Sequence, residues 1–211
     1  MAVVSKILTA IPDQAFELVR DRIAEILLVE LAAQATLQTD VEVKALLNDV
    51  KIFSERFHPL NEAEFFGVEI FLFTGDYDNK SAGSARGSYT FYLDCFGRAA
   101  STNQQEGDVR SSLKLQKLIG IIRAILESPN WTTLGFTPPN QFVGRTEVKG
   151  IKRTEEKNTQ DSGNIMFYRI VFDVIATEGT DANVGVPWAQ SDTVVTIEET
   201  ALGLEYTVIG S

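Results

Sequence analysis

The chain has 211 residues, 44% of them apolar, enough to bury a sizeable core in one domain with appendages. Its net charge of -10 argues against a surface built to grip nucleic acid through phosphates, and one cysteine with one histidine excludes a disulfide framework and most zinc sites. No apolar run approaches the roughly 18 to 20 residues of a membrane span, and the N-terminus lacks a signal-peptide pattern, so a soluble, unprocessed protein of a reducing compartment is expected.

In chain order, the first element reads as a helix. Pro12 suits an early helical position, and Ala15, Phe16, Leu18, Val19, Ile23, Ile26, Leu27, Val29, Leu31 and Ala32 recur at helical spacing. Apolar positions nearly surround its second half, which predicts a sheet on one side and a second surface, such as a neighbouring subunit, on the other. After a break at Thr39 and Asp40, residues 41–48 suit a short helix or a strand. Residues 50–57 alternate as a strand that His58 and Pro59 end, because proline has no amide to donate to a ladder.

Two strong strands follow at residues 65–74 and 87–97, both dense in aromatic and β-branched residues. Between them the polar stretch 75–86 reads as a long hairpin loop, and loops of about a dozen residues are commonly functional. Asp108 is the expected N-cap of a second main helix running to about Glu127, with Leu115, Leu118, Ile119, Ile122, Ile125 and Leu126 in one stripe. Ser128 and Pro129 stop it. Residues 130–143 hold three aromatics and two prolines, too apolar for a solvated loop, and should pack across an edge of the sheet. Residues 144–157 and 165–178 then read as an antiparallel pair.

The last 33 residues, 179–211, carry five acidic and no basic groups, so half of the excess negative charge sits there. Their Thr, Val and Gly content suits extended strands. The chain therefore divides into an α+β domain, residues 1–178, and an acidic, strand-rich C-terminal arm, residues 179–211. The fold expected is a mostly antiparallel sheet with two main helices packed on it; the βαβα alternation of a nucleotide-binding sheet is absent.

No phosphate-loop, dinucleotide-binding, nucleophile-elbow or His-Glu-x-x-His pattern occurs in the sequence. His58 and Cys95 are the minimum for a thiol nucleophile, but Cys95 sits on an alternating strand and reads more simply as a core thiol. The acid pairs Asp76 with Asp78 and Glu155 with Glu156 lie at turns or strand ends, where acids are ordinary. Residues 83–87, with Arg86, resemble a phosphate cradle but open a strand rather than a helix. No cofactor and no metal are expected, and no enzyme. The candidate partner-contact residues are Asp76, Tyr77 and Arg86 on the hairpin, Arg110 and Lys117 on the second main helix, and Trp188 in the arm. A tryptophan in a segment without basic residues either folds back on its own core or docks on a neighbour.

Several stretches together resemble the tail terminator, or tail completion, and related neck proteins of long-tailed bacteriophages. They are the strand from Tyr89 to Cys95, the helical run from Leu115 to Arg123 with Ile125 and Leu126, and Ser128-Pro129 at its end. Leu134-Gly135-Phe136, Gly144-Arg145 and the strand from Phe172 to Glu178 follow, and the upstream stretch from Glu55 to Glu69 fits the same layout. The resemblance spans about residues 12 to 178 and contains no catalytic signature.

It implies a structural virion protein, located in the tail or neck and assembled in the host cytoplasm. Six copies would form a ring that caps the tail tube, stops its polymerisation and provides the surface for head-tail joining. The partners implied are other copies of the chain, the tail tube protein, head-tail connector or neck proteins and, in a contractile tail, the sheath. DNA would pass through without specific binding, a role that an acidic chain suits. The alternatives are a head-completion or connector protein and, from a different class, a small enzyme or ligand-binding module with a pocket between sheet and helices.

Overall fold

The computed structural model describes residues 13–55, 65–81, 84–98, 107–138, 141–154, 166–179, 194–200 and 203–209. Their order is α1 (Ala15–Leu37), α2 (Val41–Asp49), β1 (Lys51–Ser54), β2 (Phe65–Ser81), β3 (Ser84–Arg98), α3 (Gly107–Leu126), a 3-10 turn (Pro129–Trp131), β4 (Val143–Thr154), β5 (Met166–Gly179), β6 (Val194–Thr200) and β7 (Gly203–Ile209). The α+β expectation is met: β1-β2-β3-β5-β4 form one sheet, antiparallel at every junction except the parallel pair of β1 with β2. β6 and β7 pair antiparallel in a separate two-stranded sheet.

The core forms where one phase of the strands meets the apolar stripes of the helices. Val68 and Ile70 of β2, Tyr89, Phe91, Leu93 and Cys95 of β3, and Ile170, Phe172 and Val174 of β5 are fully buried, every second residue along each strand. Val19, Ile23, Leu27 and Leu31 of α1 and Leu115, Leu118 and Ile122 of α3 join them in a single cluster.

The Glu17 carboxylate accepts from the Gln14 amide at 2.8 Å and helps to start α1. Residues 41–48, open between helix and strand on sequence, are helical because Asp40 caps them. Its carboxylate accepts from the amides of Glu42 at 2.9 Å and Val43 at 3.2 Å.

Three details differ from expectation. The polar stretch 75–86 is largely ladder rather than loop: Gly75 stands opposite Tyr89, Asp76 opposite Ser88, Tyr77 opposite Gly87 and Asp78 opposite Arg86. Strand β5 pairs the far side of the same ribbon, Arg86 with Thr177, and this third strand offsets the low strand propensity of the Gly and Asp residues. Of the strand expected over 50–57, Lys51–Ser54 is strand, while Arg56, Phe57 and His58 lie outside the described residues. Asp108 lies inside α3, whose first residue is Gly107, and not ahead of it.

The apolar connection after α3 packs on α1 as well as beside the sheet. Leu134 is fully buried with φ 52°, and its carbonyl accepts from Arg22 Nε at 3.0 Å. Gly135 follows at φ 73°, a left-handed conformation that glycine adopts without steric cost. Trp131 Nε1 donates to Glu30 Oε1 at 3.0 Å, Phe136 lies 4.5 Å from Phe142, and Thr177 N donates to Phe142 O at 2.9 Å, tying the connection to β5. Among the described residues no helix is long and apolar enough to cross a membrane.

Candidate assembly surfaces

The pleat that sends one phase of each strand into the core sends the other phase to the opposite face. A solvated face would be polar along its length, but this one is banded. One row runs Glu69, Asp94, Arg169 across β2, β3 and β5, and the next runs Phe71, Tyr92, Val171. Phe73, displaced by the bulge between Leu72 and Thr74, stacks on Tyr92 with ring centroids 4.1 Å apart while remaining 57% exposed. On the other side of the charged row Phe96 stacks on Phe167 at 5.7 Å and on Phe53 at 6.4 Å.

The charged row holds two carboxylates directly opposite each other, an unfavourable cross-strand pair on its own. Arg169 compensates. Its Nε and Nη2 each donate to one oxygen of Asp94 at 2.7 Å, and the guanidinium lies 4.3 Å from the Tyr92 ring centroid and 5.8 Å from that of Phe71. Asp94 is only 4% exposed. The hydrogen bonds that Arg169 donates to Asp94 raise the pKa of Arg169 above its ordinary value, while burial and then the Asp94 charge raise that of Glu69. Glu69 is thus the carboxylate of the row that Arg169 does not clamp. Further along the face Thr90 Oγ1 donates to Asp173 Oδ1 at 2.7 Å, and Lys149 Nζ lies 2.9 Å from Glu147 Oε2.

The residues singled out on sequence do not converge. Asp76 and Arg86 stand at the far end of the β2-β3 ribbon and, with Asp78, Ser88 and Ile175, line an open hollow of about 350 Å³. Tyr77 joins that hollow, and its ring meets Tyr89 edge-on at 5.8 Å. Arg110 is half-buried near the start of α3, and Lys117 is exposed further along it. Lys117 borders an open groove of about 530 Å³ between α1 and α3, together with Glu30, Gly120, Ile121, Ile125 and Trp131. Trp188, Glu155 and Glu156 lie outside the described residues.

Cys95 is the core thiol that its strand position implied: it is fully buried, and burial holds its pKa far above the ordinary range, where no thiolate forms. Among the described residues no group of three or more His, Cys, Asp or Glu side chains could hold a metal ion.

Large apolar side chains also stay exposed on α1. Its apolar second half leaves Leu28 at 54%, Val29 at 66% and Leu37 at 71% exposure, and Val41 at the start of α2 is 79% exposed. The banded sheet face went unread on sequence, although a signal existed: Tyr92 and Phe96 occupy the phase of β3 opposite to Phe91 and Leu93. A strand with aromatics in both phases has no phase left to give to water. Compared with known proteins, the chain matches no protein-family model and no curated protein sequence at a significant level.

Proposed function

We propose that this protein is a structural subunit of a bacteriophage tail, the terminator that closes the tail tube as a homo-hexameric ring. The observation that carries an assembly role is the banded sheet face, where Phe71 and Phe73 pack on Tyr92 and Phe73 remains 57% exposed after the sheet and helices have packed. Aromatic side chains gathered on the face turned away from the core mark a protein-protein contact. Leu28, Val29 and Leu37 add exposed apolar side chains on α1, and the layout of the chain resembles the terminator family.

In this reading the ring stops tube growth by offering the tube protein one face and the head-tail connector or neck proteins the other. It needs no cofactor, and its acidic surface lets DNA pass without holding it. A head-completion or connector protein is the second reading within the class. The groove between α1 and α3 favours, from a different class, a small-ligand-binding module or enzyme.

Native mass measurement and negative-stain imaging of the purified chain, alone and mixed with tail tubes, test the proposal. Six-fold rings that sit on tube ends are expected. A strict monomer that stays monomeric with tubes present refutes the ring.

A further inference from the structure

Resting on that ring reading, we propose that the hairpin of β6 and β7 in one copy docks on the banded sheet face of the next copy. Each copy then gives its C-terminal hairpin to one neighbour and receives the hairpin of the other.

The hairpin has two unlike phases. Its register sets Val195 opposite Val208, Ile197 opposite Tyr206 and Glu199 opposite Leu204 in one, and Thr196 opposite Thr207 and Glu198 opposite Glu205 in the other. The first phase is apolar but for Glu199, and the second is polar. A two-stranded hairpin is marginally stable at best in water, and one with an apolar face holds together when that face lies on another surface. β6 and β7 pair with each other and with no described strand of the main sheet.

The main sheet has one side to offer, because α1 and α3 fill the other. On the banded side the row Phe71, Tyr92, Val171 ends at Gly150 of β4, three strand spacings or about 14 Å from end to end. From Val195 to Glu199 the apolar phase of the hairpin measures about 13 Å. The two lengths match when the hairpin lies across the strands, one of the two stable ways to pack sheet on sheet. Charge sets its direction. With the Thr200–Gly203 end over β4, Glu199 stands beside Gly150, between the exposed Lys149 and Lys152, while Val195 and Val208 lie over Phe71 and Phe73. Turned end for end, Glu199 would meet the carboxylate of Glu69 on β2.

The path of the chain selects the neighbour. Strand β5 runs eight residues beyond Val171 to Gly179, which pairs with Ser84 at the tip of the β2-β3 ribbon. The chain therefore leaves the sheet about 26 Å past the aromatic row and heads away from it. Fourteen residues separate Gly179 from Val194, a reach of up to about 46 to 50 Å, against about 24 Å for the width of a five-stranded sheet. The arm is long enough to cross to an adjacent copy. A hairpin on a face joins two different surfaces, the type of contact that closes by rotation into a ring.

The test uses the full chain with Val171→Cys and Ile197→Cys, the centres of the two surfaces. Cys95, the one native cysteine, is buried, so a short bismaleimide joins only the introduced thiols. Denaturing electrophoresis should show a ladder from covalent dimer to hexamer that neither single variant gives. Separately, Phe73→Glu, at an exposed position, and Ile197→Glu should each weaken self-association about tenfold or more by native mass measurement, with far-UV circular dichroism checking that each folds. An equimolar mixture of these two should form one-to-one pairs, since one intact hairpin and one intact face remain between them.

A cross-linked monomer in place of the ladder overturns the exchange and puts the hairpin on its own face. Dimers from Val171→Cys alone overturn the hairpin as the occupant, because two faces then meet each other. Rings that persist in both Phe73→Glu and Ile197→Glu overturn the contact while leaving the ring intact. A wild-type chain that stays monomeric with tubes present overturns the ring reading and the exchange with it.

Discussion

Replacing Arg169 with methionine isolates the role of the charged row. The wild-type guanidinium makes two 2.7 Å hydrogen bonds to Asp94, which is 4% exposed, while the Arg169 side chain is 31% exposed. Removing one member of a fully buried ion pair costs about 3 to 5 kcal/mol, because the remaining charge stays buried. Solvent access to Arg169 discounts this to about 2 to 3 kcal/mol. The cation-π contact with Tyr92 is worth about 0.5 to 1 kcal/mol, which a methionine thioether against the same ring largely offsets.

For a chain of this length a loss of 2 to 3 kcal/mol lowers Tm by about 5 to 10 °C. Urea unfolding at one fixed protein concentration measures the loss directly, and concentration matters if the chain self-associates. Replacing both partners, Asp94→Leu with Arg169→Met, should recover most of the stability, since the pair then leaves no orphaned charge. An Arg169→Met protein within about 0.5 kcal/mol of wild type, or a double variant as unstable as the single one, refutes this account of the row.

Phe172→Ala should be among the more damaging single substitutions. The ring is fully buried at the centre of the helix-sheet core, and its loss should cost about 3 to 5 kcal/mol in urea unfolding. Asp40→Ala removes the side-chain acceptor for two amides of α2 and should cost about 0.5 to 2 kcal/mol, with helicity read by circular dichroism. Glu69→Gln should be pH-dependent. The folded-state pKa of Glu69 is raised, so wild type loses stability as pH rises from the unfolded value of about 4.3 through the folded one. Glu69→Gln should therefore gain on wild type over that window and match it below, by less than about 1 kcal/mol for this partly exposed group. An equal difference at pH 3 and pH 7 would contradict the cause assigned.

Much of the architecture was legible in the residues because it rests on periodicity. The stripe Leu115, Leu118, Ile122 and the alternation Tyr89, Phe91, Leu93, Cys95 are local patterns, and local patterns name their elements wherever a single face is buried. Pairing across distance was less accessible. Residues 75–86 have the composition of a loop, and only the arrival of β5 beside β3, through pairs such as Arg86 with Thr177, makes them part of a three-stranded ribbon.

The charged row shows the same division between local pattern and tertiary contact. Sequence placed Asp94 on a strand, but its partner Arg169 is 75 positions away, and no spacing rule connects the two. Composition and periodicity by themselves determined an acidic α+β domain with a buried thiol and an apolar helix too hydrophobic for its own core. The tertiary structure decided which surfaces remain exposed: a banded sheet face and, on α1, the apolar side chains of Leu28, Val29 and Leu37. The reason is physical. Burial within an element follows from its own residues, whereas an edge or an uncovered face exists only once strand order is set, and strand order depends on contacts between distant parts of the chain.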